Sequence, residues 1–120
     1  MAVLYRIGEE DSRPWGHWIV VDVGKRHAVK RITVKSGARL SLQYHRGRDE
    51  VWTCIQGSGV ATIDGNEVPL VSNGSVFVPK MAHHRMANTG KEDLIIIETQ
   101  LGETLDEDDI IRVEDDFGRG

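Results

Sequence analysis

Residues 50–70 read EVWTCIQGSGVATIDGNEVPL, and this stretch decides the fold class. Glu50 to Gln56 forms a first run, Gly57-Ser58-Gly59 interrupts it, and Val60 to Ile63 forms a second. Asp64-Gly65 then turns the chain into Glu67 to Leu70. Short runs with period-two alternation between turn residues mark half-buried strands, and Asp-Gly suits the positive φ angles of a tight hairpin. The same pattern extends outward. Upstream, Trp15 to Val23 ends at Gly24, Ala28 to Val34 ends at Ser36-Gly37, and Leu40, Leu42 and Tyr44 alternate with Arg39, Ser41, Gln43 and His45. Downstream, Ser72-Asn73-Gly74-Ser75 precedes Val76 to Val78, and His84 to Ala87 and Leu94 to Gln100 follow. About nine short strands are predicted. Only Thr104 to Ile110 reads as a helix, with Thr104 as N-cap ahead of acidic first-turn residues. So many strand edges are best protected by closure, so the expected fold is an all-β barrel or jelly roll over residues 1–120, one domain with one short C-terminal helix.

Composition narrows the function. At 120 residues, 39% hydrophobic and 28% charged, the chain fits one globular domain and lacks the unbroken apolar run of a membrane helix. Met1 to Glu10 has no basic region followed by a long apolar segment, so no signal peptide is expected. A single cysteine, Cys54, allows no internal disulfide and fits a reducing, cytoplasmic setting. Fifteen Lys and Arg against nineteen Asp and Glu give a net charge of −4, with no basic surplus. Neither nucleic acid nor a membrane is therefore an expected partner.

Gln43 and His45 stand two apart on a predicted strand and so share a face. Glu50 opens the next strand after a tight connection, and His84 lies on a later strand able to cross the same barrel mouth. Two imidazoles, a carboxylate and an amide oxygen make an N/O donor set for Zn²⁺, Mn²⁺, Fe²⁺, Co²⁺ or Ni²⁺. Taken singly, His45 reads as a hydrogen-bonded histidine, Gln43 as a polar strand residue and Glu50 as a solvated carboxylate. Trp15, Trp18 and Trp52 read as packing residues, and Cys54 as a small buried hydrophobe.

Gly37-Ala-Arg-Leu-Ser-Leu-Gln43-Tyr-His45, continuing through Arg48 and Glu50 to Trp52 and Gly57, resembles the first cupin motif of the type II mannose-6-phosphate isomerase family. Pro79-Lys-Met-Ala-His-His84-Arg85-Met-Ala-Asn88 resembles the second. Arg13-Pro14-Trp15-Gly16, Lys30 to Val34, and Asp108 to Arg112 with Asp115 to Arg119 resemble its opening, next and closing segments. The resemblance implies a cupin, a double-stranded β-helix, with one divalent ion held by Gln43, His45, Glu50 and His84, and Zn²⁺ is the first candidate. It also implies interconversion of mannose 6-phosphate and fructose 6-phosphate, with a small phosphorylated sugar as ligand and a homodimer as the assembly. In that family the cupin is often the C-terminal half of a bifunctional protein, and here it is expected to stand alone.

One departure stands out. The family commonly carries a run of histidines where this chain has His45-Arg46-Gly47-Arg48. Two alternatives follow: a metal-containing cupin that binds a sugar or small anion without turnover, or another metal-dependent cupin enzyme. For the proton transfer of an isomerase, Lys30, His17, Tyr44 and Glu98 are the candidates. For the phosphate, Arg48 and Arg85 come first, then Arg13 and Lys30. Arg48 and Lys30 are carried forward as catalytic residues, and Arg13 and Arg85 as substrate-binding ones.

Overall fold

The structure, a computed structural model, describes residues 5–105 and 107–116. Among these, eleven strands form in chain order: β1 (Glu10–Arg13), β2 (Gly16–Val23), β3 (His27–Val34), β4 (Leu42–Tyr44), β5 (Arg48–Gln56), β6 (Ser58–Ile63), β7 (Asn66–Val71), β8 (Ser75–Val78), β9 (His84–Asn88), β10 (Leu94–Gly102) and β11 (Ile111–Glu114). They make a six-stranded sheet in the order β1-β2-β3-β10-β5-β8 and a five-stranded sheet in the order β11-β4-β9-β6-β7. All pairings are antiparallel. The chain is all-β, its two antiparallel sheets sharing one core. No helix among the described residues is long and apolar enough to cross a membrane.

Residues of both sheets share one buried cluster, from Trp18, Ile32, Trp52 and Ile96 on one side to Ala61, Leu70 and Met86 on the other. Each large apolar side chain buried there contributes about 1.5–3 kcal/mol. The Asp64-Gly65 turn joins β6 to β7 with φ of 47° and 82°, the positive values its sequence favours. Cys54 is fully buried in the same cluster.

The interior changes character along its length, and this places the site. On β5 the inward residues run Arg48, Glu50, Trp52, Cys54, and on β10 they run Gln100, Glu98, Ile96, Leu94. In register, Glu50 faces Gln100, Trp52 faces Glu98, and Lys30 of β3 faces Glu98 from the other side. One end of the barrel is therefore an apolar core, and the other is lined by buried ionisable groups. Burying charges is unfavourable unless they are paired or bind something, so the charged end is where function is expected.

Three local expectations give way. The predicted helix over Thr104 to Ile110 is a single 3-10 turn, Glu107–Asp109, because Asp109 bonds to the loop before β5 instead of continuing a helix. Two strands escaped the sequence reading: β1 is a charged edge strand without alternation, and β11 lies in the segment read as helix end and tail. The even alternation over Arg39 to His45 is also broken. Arg39 pairs with Ala87 and Gln43 with His84, four residues on one strand against three on the other. The extra residue turns Arg39 outward to Asp116 while Ser41 and His45 stay buried.

Candidate metal centre

His45 follows β4 and is held from two sides. Its main-chain carbonyl accepts from the Met81 amide at 2.7 Å, and its ring Nδ1 lies 2.8 Å from the Asp109 carbonyl oxygen. His84 opens β9 with Nδ1 at 2.9 Å from the Ala82 carbonyl oxygen. A carbonyl only accepts, so both Nδ1 atoms carry hydrogen and both Nε2 atoms face inward toward Glu50. His45 Nε2 lies 3.0 Å from Glu50 Oε2, and His84 Nε2 lies 3.9 Å from Glu50 Oε1. One ligand atom from each of the three residues falls within 4.8 Å of the others. Donors on one ion, at bonds of about 2.0–2.2 Å, stand about 2.8–3.6 Å apart, so modest side-chain rotation closes the set.

Two further observations fit a cation. His84 Nε2 is buried without a hydrogen-bond partner, an orphaned lone pair aimed at the cluster. Gln43 is the direct cross-strand partner of His84, so its amide is on the same inner face. The predicted ligands Gln43, His45, Glu50 and His84 are thus brought to one end of the barrel by β4, the loop after it, β5 and β9. Imidazoles anchored through Nδ1, with a carboxylate and an amide oxygen, suit a divalent first-row metal.

The electrostatics are steep. Burial acts to raise the Glu50 pKa, but His45 and Arg48 hold its carboxylate well below the usual range. Arg48 Nε donates to Glu50 Oε2 at 3.1 Å, and the Trp52 indole donates to Oε1 at 2.9 Å. Glu98 goes the other way: burial and the neighbouring Glu50 charge push its pKa well above the carboxylate range. Burial also lowers the pKa of His84 and keeps the ring neutral.

A cavity adjoins this cluster through Gln43 and Glu50, with His45 and His84 behind its lining. Its charged and polar wall consists of Arg13, Lys30, Gln43, Arg48, Glu50, Glu98 and Arg112, and its apolar wall includes Trp15, Trp18 and Met86. Lys30 Nζ donates to the Tyr5 hydroxyl at 2.9 Å and lies 4.0 Å from the centre of the Trp18 ring. Of the four proton-transfer candidates, Lys30 and Glu98 line the cavity, whereas His17 and Tyr44 do not. Arg85 also lies outside it. Adjacent to His84 on β9, it points to the opposite face, donating to the Leu40 carbonyl at 2.8 Å and to Glu114 Oε1 at 3.0 Å. Arg112, from β11, occupies the cavity wall instead, and no sequence signal singled it out. Asp109 was also missed, hidden in an acidic run that reads as a solvated helix start.

Residues 4–115 match the family model described as mannose-6-phosphate isomerase C-terminal. The chain belongs to that family. Among curated members it is similar to the alginate biosynthesis protein AlgA of Pseudomonas aeruginosa, 50% identical over 110 residues, covering 92% of this chain and 23% of that protein. It is 44% identical over 115 residues to the mannose-1-phosphate guanylyltransferase of Escherichia coli strain K12, covering 96% of this chain and 24% of that one. The chain thus spans about a quarter of the length of these isomerase-family relatives. The fold is similar to the Schizosaccharomyces pombe Cnp3 cupin domain, with a TM-score of 0.69 at 16% identity over 72% of this chain and 64% of that one.

Proposed function

We propose that this domain is a metal-dependent aldose–ketose isomerase that interconverts mannose 6-phosphate and fructose 6-phosphate. One observation carries the proposal: the donors of His45, Glu50 and His84 converge, and Glu50 among them lines a cavity whose wall also holds Gln43, Arg13, Lys30, Arg48, Arg112 and Glu98. A divalent ion, with Zn²⁺ the first candidate, would be held by His45, Glu50, His84 and Gln43. Its chemistry would be to supply positive charge next to the sugar oxygens on which negative charge develops during enolisation.

The chain's own residues account for the remaining steps. Arg13 and Arg112 offer guanidinium groups suited to the phosphate. Arg48 keeps Glu50 ionised and in place through their 3.1 Å contact. Isomerisation moves one proton between C1 and C2 of the sugar and another between the two oxygens. Lys30 and Glu98 face each other across the β3–β10 ladder, where Glu98 as a carboxylate can receive the carbon-bound proton and return it to the neighbouring carbon while Lys30 donates toward the sugar oxygen. The aromatic wall of Trp15 and Trp18 excludes water from that exchange.

Gly47, where the family histidine run is interrupted, bears on the non-catalytic alternative. A side chain at position 47 would point at Thr104 and Asp109, outside the residues lining the cavity. The departure therefore leaves the proposed catalytic wall intact. A coupled assay with mannose 6-phosphate, run with and without a chelator, tests the proposal. Metal-dependent turnover supports it, and no turnover from a fully metal-loaded protein overturns it in favour of a sugar- or anion-binding cupin.

A further inference from the structure

Asp109 sits in the 3-10 turn that precedes β11, far from His45 in sequence and against it in space. Its two carboxylate oxygens accept from consecutive backbone amides, Oδ1 from Arg46 N at 2.9 Å and Oδ2 from Gly47 N at 2.9 Å. Its own main-chain carbonyl accepts from His45 Nδ1 at 2.8 Å. One residue therefore grips three successive positions, the His45 ring and the two amides after it, and it is itself buried. The two carboxylate oxygens give each amide its own acceptor. A Cβ at Gly47 would press on Thr104 but meet Asp109 Oδ2 only at an ordinary 3.4 Å.

We propose that Asp109 is the positioning residue of the metal centre. Its carboxylate clamps the 46–47 backbone so that its carbonyl meets His45 Nδ1, and this aims Nε2 at the ion. The inference rests on the metal-site assignment made above. It also links the ligand sphere to the cavity wall, because Ile110 and Arg112, just after Asp109, line the cavity. The C-terminal turn thus sets the His45 ring and the guanidinium of Arg112 in one piece of backbone. Partners that hold the second nitrogen of a ligand histidine typically change metal affinity by about 10–100-fold when removed.

The test uses the intact chain and the variants Asp109→Ala and Asp109→Asn, with Zn²⁺ titrated by calorimetry. The His45 Nδ1–H resonance is followed by NMR, and the same atom of His84 serves as internal control. In the wild type both protons are held by buried carbonyls and exchange slowly. Asp109→Ala is expected to lose the His45 signal to exchange, keep that of His84, and bind Zn²⁺ about 10–100-fold more weakly. Asp109→Asn, which keeps one acceptor oxygen, falls between, and it carries the test by the same two readouts if the alanine variant does not fold. A mere loop staple would lower Tm and leave both readouts of the folded protein unchanged. That result overturns the inference. A wild type that binds no Zn²⁺ would instead remove the metal assignment itself, so the two failures are distinguishable.

Discussion

Replacing Gly47 with alanine adds one methyl group where the structure has no room for it. The new Cβ would fall 2.5 Å from the Thr104 Cβ and closer still to its Oγ1. Ordinary carbon–carbon contact lies at about 3.5–4.0 Å, so the overlap is about 1 Å or more. Thr104 cannot swing clear, because its Cβ is fixed to a backbone whose amide, like that of Glu103, donates to the Gly47 carbonyl at 3.3 and 3.1 Å. Relief requires the 103–105 loop to shift. Overpacking of this kind costs about 1–3 kcal/mol. For a chain of this size that is a fall in Tm of about 4–12 °C, measured by calorimetry or circular dichroism. Thr104→Gly removes both clashing atoms and leaves Asp109 Oδ2 at an ordinary 3.4 Å. The double variant should therefore be more stable than the two single effects predict when summed, by about 1–2 kcal/mol. A Gly47→Ala protein with unchanged Tm, or single effects that simply add, would refute the account of this loop. The same geometry explains why a histidine at position 47 requires a different path for residues 103–105.

Three further outcomes are expected. Arg48→Met leaves Glu50 buried without its guanidinium partner, and should destabilise the protein by about 3–5 kcal/mol in urea unfolding, with Arg48→Lys intermediate. Burial pushes the Cys54 thiol pKa up, so iodoacetamide should label native protein slowly at pH 8 and rapidly in urea; fast native labelling would contradict its placement in the core. The hydrogen bond from Arg39 holds the Asp116 carboxyl below the usual range, and a lowered folded-state pKa stabilises above the unfolded value and is lost as pH falls through the folded one. The β11 amide resonances, Ile111 to Glu114, should thus shift to free-strand values only below about pH 4, where carboxylates ordinarily protonate, and at higher pH in strong salt.

Much of this fold is legible because the signals are local. The turn at Asp64-Gly65 and the runs of β5 and β10 depend on neighbours two residues away, and the strands formed where that pattern is clean. β1 was not legible because Glu10, Asp11, Ser12 and Arg13 carry no apolar alternation; pairing with β2 alone makes them a strand. The acids of the C-terminal segment read as a helix start, yet their partners are distant: Asp109 meets the amides of residues 46 and 47, and Glu114 meets Arg85. Arg85 and Arg112 show the same limit. Which of two arginines faces a cavity depends on the register of β9 and on β11 lying beside β4, neither of which a residue announces locally. The metal-ligating residue types were recognisable because chemistry restricts them. The raised pKa of Glu98 was not, since it follows from burial, from the Glu50 charge and from the Trp52–Glu98 register.

The central claim is that His45, Glu50 and His84 grip a single divalent ion in one charged end of the barrel. Elemental analysis of the wild type and Glu50→Ala, each saturated with Zn²⁺ and then desalted, tests it most directly. One ion per chain in the wild type and none in a folded Glu50→Ala protein is the expected result. A variant that keeps its full metal content, or a wild type that retains none, would contradict the account.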